Sequence, residues 1–264
     1  MKEVSDLNTD AVSIFLAGIR PDNWNKLLDS VKAATERAFE LIFVGPYPPE
    51  SSILENPNVK FIQDFGSSTR CYQIGLLQAK YDFVTWSADD GYFLPNRSID
   101  KAFELLKEKN VGMKEIISFK YFEGNFADER TTDSFWRLGA HPPLRAKYAP
   151  PDYYLLMNGL LRREYLVELG GWDCSFESHG IATCDLAVRV QNDGARVTLL
   201  NEPFMYVSHF PETSGDHAPV HYAHIEHDEP YFRSLYDGKD SIGRAKIDID
   251  NWQSAPSIWK RRFS

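Results

Sequence analysis

Tyr81-Asp82-Phe83-Val84-Thr85-Trp86-Ser87-Ala88-Asp89-Asp90-Gly91 is an apolar run that ends in two adjacent carboxylates and a glycine. Phe83 to Trp86 reads as a buried strand. Ligands of α/β sheets bind outside the carboxyl ends of the strands, so Asp89 and Asp90 fall where a ligand would be met. Neighbouring carboxylates repel unless a cation or strong donors meet them. Their oxygens suit hard cations such as Mg²⁺ or Mn²⁺, which in turn suit phosphates. The stretch reads as a metal-phosphate site at a strand end, against the plainer reading of an Asp-Asp-Gly turn.

Outward from this run the pattern alternates. Val12 to Gly18 and Phe39 to Gly45 read as buried strands, and Val59 to Ile62 as a shorter one. Between them Trp24, Leu27, Leu28, Val31 and Ala34 recur at helical spacing. Ser68 to Ala79 and Ser98 to Lys109 read as further helices. Strands alternating with helices predict a parallel, doubly wound sheet.

The second half is less regular. Ile116 to Phe122 reads as a strand, followed by a long polar and aromatic stretch from Glu123 to Pro151. Loops of that length are usually functional lids or binding loops, or else disordered, and the aromatics favour an ordered binding wall. Apolar periodicity resumes over Leu155 to Glu168 and stops at Gly170-Gly171. Ile181 to Asn192 reads as a helix, with strands at Arg196 to Leu200 and Phe204 to Val207.

Composition bounds the reading. The 264 residues carry a formal net charge of -9, which argues against a nucleic acid as main partner. Arg162-Arg163 and Lys260-Arg261-Arg262 are local basic clusters that could meet phosphate, an anionic surface, or only water. Cys71, Cys174 and Cys184 are isolated, without metal-binding spacing, and fit a reducing compartment. No run approaches a membrane span, so a cytoplasmic location with at most peripheral membrane contact is the expectation.

The order of these parts resembles a GT-A fold glycosyltransferase of the family-2, inverting type. Gly75-Leu76-Leu77-Gln78-Ala79 is similar to the family's GLxxA helix. Ser87-Ala88-Asp89-Asp90 stands where the family carries its DxD-type motif. Gly170-Gly171-Trp172-Asp173 resembles the acceptor-side GGxD turn, and Asp185-Leu186-Ala187-Val188-Arg189 the DLxxR helix. The resemblance covers about residues 12–210 and implies one α/β domain with a mostly parallel, Rossmann-like central sheet flanked by helices. Residues of about 10–110 would form a nucleotide-sugar half, 111–210 an α+β acceptor half, and 211–264 a C-terminal flap and tail.

The implied activity is metal-dependent transfer of a sugar from a nucleoside-diphosphate sugar to a hydroxyl acceptor, with inversion. Asp90 would hold Mn²⁺ or Mg²⁺, with His209 as a further ligand. Asp89 would reach the ribose or the donor sugar, and Arg20, Arg70 and Gly45 would lie along the donor. Trp172, Asp173 and Asn158 would face a glycan, lipid-linked or small-molecule acceptor.

Departures from the pattern carry information too. Gly45-Pro46 stands where the family has a base-contacting Asp, and Ser87 replaces the first carboxylate of the DxD element. Ala182-Thr183 replaces the Glu-Asp pair that supplies the catalytic base. Asp185 becomes the first candidate for the base, with Glu177 and Asp173 as alternatives. Asp185 could equally form an i,i+4 pair with Arg189. A non-catalytic sugar-nucleotide or glycan-binding module on the same fold is the competing reading. A nucleotidyltransferase ranks behind it, because Gly18-Ile19-Arg20-Pro21 is no Gly-rich phosphate loop. His217, His221, His224 and His227, interleaved with acidic residues and broken by Pro219, read as a hydrophilic flap over the site rather than a structural zinc cluster.

Overall fold

The computed structural model describes residues 10–108, 112–124, 130–131, 137–208, 215–239 and 242–263. Its first half runs β1 (Val12–Ala17), α1 (Trp24–Ala34), β2 (Phe39–Gly45), α2 (Ser51–Leu54), β3 (Val59–Gln63), α3 (Ser68–Gln78), β4 (Phe83–Ala88), β5 (Gly91–Phe93) and α4 (Ser98–Glu108). The second half runs β6 (Glu115–Gly124), β7 (Arg130–Thr131), β8 (Gly159–Arg162), α5 (Arg163–Glu168), α6 (His179–Asn192), β9 (Arg196–Ser208), α7 (Ala218–Ala223), α8 (Glu229–Asp237) and α9 (Lys260–Phe263).

Both halves build one sheet in the order β3-β2-β1-β4-β8-β6-β9-β5, with β7 added beside β6. The first four strands are parallel. Beyond β4 the sheet is mixed: β8 runs antiparallel to β4 and β6, and β6 runs parallel to β9. Side chains alternate between two apolar layers, as strand geometry requires. Phe15, Ile42, Val44, Val84 and Trp86 face one layer, with Trp172 and residues of α3, α5, α6 and α8. Ile14, Leu16, Leu41, Phe43 and Phe83 face the other, with α1 and α4. Burial on both faces explains why β1 and β2 read as nearly unbroken apolar runs.

Two expectations change in detail. The segment read from Leu155 to Glu168 divides into β8 and α5. The two strands expected between Arg196 and Val207 are one strand, β9, whose pairing with β6 shifts register around Lys120. Pro203 lies at that irregularity, where a missing N–H does least harm.

The chain returns over the first half at its carboxyl-terminal end. Ile247 N–H donates to Leu169 O (3.0 Å) and Trp259 N–H to Phe65 O (2.9 Å). Arg261 pairs with Glu177 and Glu226 (both 2.6 Å), so the terminal basic cluster is largely turned inward rather than offered as a basic surface. Among the described residues no helix is long and apolar enough to cross a membrane.

Candidate active site

Strands β1 and β4 are neighbours, and their following connections leave toward opposite sides of the sheet order. A crevice opens at such a switch point, beyond the carboxyl ends of the strands. Arg20 follows β1 and Asp89-Asp90 follow β4, so both line this cleft. Gly91 is needed next because β5 crosses β9 there. A Cβ at Gly91 would stand 2.1 Å from Tyr206 O.

Asp89 is buried and turned toward the β1 loop. Its Oδ2 accepts from the Ile19 N–H (2.6 Å), the Arg20 N–H (2.7 Å) and Trp24 Nε1 (3.3 Å). Its Oδ1 accepts from Arg20 Nη1 (2.6 Å). Burial raises this carboxyl above its ordinary range, and Arg20 opposes that rise. Asp89 therefore organises the loop after β1, and its lone pairs are committed to it.

Asp90 differs. Its Oδ2 lies 3.3 Å from His217 Nε2, and its Oδ1 is buried with no hydrogen-bond partner. A bare buried carboxylate oxygen is costly and calls for a cation or donor. His217 also meets Asp216 (3.0 Å), and its hydrogen bond to Asp90 raises the imidazole pKa. Among the described residues no cluster of three potential metal ligands occurs. Asp90 offers a carboxylate of the kind that suits Mg²⁺ or Mn²⁺, which one or two carboxylates hold when substrate phosphates complete the shell, with the His217 imidazole beside it. His209, expected as a further ligand, lies outside the described residues.

The opposite rim contributes Arg262, brought in on α9. Its guanidinium stacks over Trp259 (5.5 Å) and Phe263 (5.9 Å), and burial lowers its pKa. No described carboxylate forms an ion pair with it. His217, just before α7, and Val220, within it, also line the cleft. Pro219 sits in the first turn of α7, where its missing N–H does no harm.

No protein-family model matches the chain. No curated protein matches it in sequence. Solved structures do match. S. aureus TarS 1–349 superposes with a TM-score of 0.55 at 17% identity, over 75% of this chain and 60% of that one. The fold is a mixed α/β fold of the GT-A type. TarS 1–349 in complex with UDP-GlcNAc matches at TM-score 0.52 and 15% identity, over 89% of this chain and 71% of that one. The longer S. aureus TarS matches at TM-score 0.55 and 16% identity, and the chain spans only 41% of its length. At these identities the likeness is one of fold.

Within the GT-A cleft the expected residues divide. Arg20, Asp89, Asp90 and Asn158 line it together. Asn158 Nδ2 donates to Trp86 O (2.8 Å), which fixes it beside the end of β4. Gly45 lets β2 approach the end of β1: a Cβ there would stand 1.7 Å from Gly18 O. Arg70 is tied to Asp64 (3.1 Å) and to Trp252 O, away from the cleft.

The acceptor-side assignments need correction. Trp172 is fully buried, edge-on to Phe15, Tyr72 and Trp86, so it is a core residue and no acceptor platform. Asp173 binds Arg244 (2.6 Å) and caps the turn through Ser175 N–H (2.9 Å). Asp185 is fully buried, paired with Arg189 (2.7 Å), Tyr236 (2.7 Å) and Arg244, and has no access to the cleft. Glu177 binds Arg261 and lines a separate hollow beside Cys174, Trp259 and Lys260. None of the three carboxylates, each held in an ion pair, can take a proton from an acceptor bound in the cleft in this arrangement. The three cysteines are unpaired and buried, and burial pushes the Cys184 thiol up to about 12.

Two cleft residues had no sequence signal. Tyr72 lies on α3 and donates to Ser87 O (2.8 Å). His179 opens α6, and its ring sits 5.1 Å from that of Tyr72. Burial lowers the His179 pKa from 6.5 to about 4. Between those values the unfolded chain binds more protons, so this group removes stability as pH falls from 6.5 toward 4. The ring is partly exposed, so the cost is on the order of 2 kcal/mol. Thermal denaturation from pH 7 to pH 4 is expected to show wild type losing this increment relative to His179→Gln.

Proposed function

We propose that the chain is a nucleotide-sugar glycosyltransferase that uses Asp90 to hold Mn²⁺ or Mg²⁺ at the donor diphosphate. The observation that carries this reading is the bare, buried Asp90 Oδ1 at the end of β4 in a GT-A cleft. A divalent cation bound there neutralises the charge that develops on the leaving diphosphate. Asp90 and His217 would hold it. Asp89 fixes the Ile19-Arg20 turn, which presents the floor of the donor site. Arg262 supplies a second positive charge from the facing rim, where a desolvated guanidinium binds phosphate oxygens strongly. The flap carrying His217 and Val220 closes over the donor and excludes water. Attack by an acceptor hydroxyl on the face opposite the diphosphate inverts the anomeric centre in one step.

The panel that tests this is Mn²⁺ with UDP-, GDP-, CDP- and dTDP-sugars, followed by free-nucleotide release and donor binding. Metal-dependent binding with release in the presence of a hydroxyl acceptor supports the transferase. The chain would be a binding module if it bound donors and never turned them over. One observation favours that second reading: the described carboxylates lining the cleft are Asp89 and Asp216, both paired with Arg20, and Asp90, which this reading gives to the cation. Arg262→Ala is expected to weaken nucleoside-diphosphate binding by about 2 kcal/mol, roughly 30-fold in Kd, measured by calorimetry.

A further inference from the structure

A hydroxyl acceptor needs a group to take its proton, and every carboxylate offered for that role lies outside the cleft. Asp173 and Asp185 are locked in ion pairs with Arg244, and Glu177 with Arg261. Thr183, where a carboxylate base would stand, is buried and donates its hydroxyl back to His179 O (2.5 Å). One helical turn earlier the chain places His179 in the cleft.

His179 is held as a working group would be. Its N–H donates to Ser68 Oγ (3.1 Å). The two preceding N–H groups, of Glu177 and Ser178, donate to the buried Asp228 carboxylate (2.9 and 2.6 Å). The imidazole packs on Tyr72, and its Nδ1 is buried with no hydrogen-bond partner. A partnerless imidazole nitrogen in a ligand cleft is an acceptor waiting for a donor.

We propose that the His179 imidazole is the general base of the transfer reaction. The inference rests on the glycosyltransferase reading. The acceptor oxygen bonds to the anomeric carbon as the bond from that carbon to the diphosphate oxygen breaks. The acceptor proton passes to the unprotonated ring nitrogen, and the bonding pair leaves with the diphosphate. Burial at the mouth of α6 keeps the ring neutral near pH 7, with a conjugate acid at about 4. An unprotonated ring nitrogen is what a general base needs.

The test compares wild type, His179→Ala and His179→Asn with Mn²⁺ and whichever UDP-, GDP-, CDP- or dTDP-sugar the wild type consumes fastest. Calorimetry with the matching nucleoside diphosphate runs alongside. Donor affinity is expected to stay within about twofold while turnover falls about 10²- to 10⁴-fold. Added formate or imidazole should restore part of the His179→Ala turnover, which a merely structural role would not produce. Turnover of His179→Ala within about threefold of wild type overturns this assignment and leaves the transferase standing. A loss of nucleotide affinity that parallels the loss of turnover also overturns it, making His179 a donor ligand. A wild type that binds every donor without turnover removes the transferase reading, and the base with it.

Discussion

Asp90→Ala is expected to remove metal-dependent donor binding and to lower turnover by about 10²- to 10³-fold. The reasoning starts from the two oxygens. One faces His217 at 3.3 Å and the other is buried without a partner. Alanine deletes both and leaves the rest of the cleft in its fold, because Asp90 makes no backbone contact comparable to those of Asp89. Manganese titration followed by calorimetry with the nucleoside diphosphate separates the two effects. Metal-dependent affinity that survives in Asp90→Ala would move the cation elsewhere. The contrasting variant is Asp89→Ala, which frees the Ile19 and Arg20 N–H groups and should loosen the β1 loop as well as the donor site. Its signature is lost stability together with lost binding, whereas Asp90→Ala should lose binding alone.

Much of the first half could be read from the chain because its signals are local. The runs Val12 to Ala17, Phe39 to Gly45 and Phe83 to Ala88 are apolar because both faces of each strand are covered. Their spacing with α1 and α3 allows few topologies, and the strand order follows. Asp89 and Asp90 were visible as a pair, but their division of labour was not. That depends on Arg20, which lies 69 residues earlier, and on His217, which lies 127 residues later.

The second half misled for a physical reason. Gly170-Gly171-Trp172-Asp173 and Asp185 to Arg189 keep the residue types of a motif, yet the structure uses them as scaffold. Gln73 accepts from the Trp172 N–H (2.9 Å) and donates to Gly170 O (3.0 Å), fastening that turn to α3. Arg244 then ties Asp173 to Asp185 across the C-terminal segment. A lone histidine at the mouth of a helix carries no periodicity, so His179 emerges only when α6 is seen to point its first turn into the cleft.

The second large effect is expected in stability, not in chemistry. Asp185→Ala should cost about 3–5 kcal/mol, because it strands buried cationic partners without their carboxylate. Arg189 and Asp185 are both fully buried, and Arg244 reaches the same carboxylate from 59 residues away. Arg189 keeps the carbonyls of Leu169 (3.1 Å) and Ala245 (3.3 Å), but carbonyl dipoles do not balance a desolvated guanidinium. The expected Tm decrease is roughly 10 °C for a chain of this size. Had Asp185 been the base, Asp185→Asn would abolish turnover while the Tm hardly moved. The network predicts the reverse: below the lowered Tm, the fraction that remains folded binds nucleoside diphosphate and turns over at the wild-type rate. Differential scanning calorimetry paired with turnover per folded molecule distinguishes the two. A normal Tm with lost turnover would return the base to Asp185, deeper in α6 than His179 by nearly two turns.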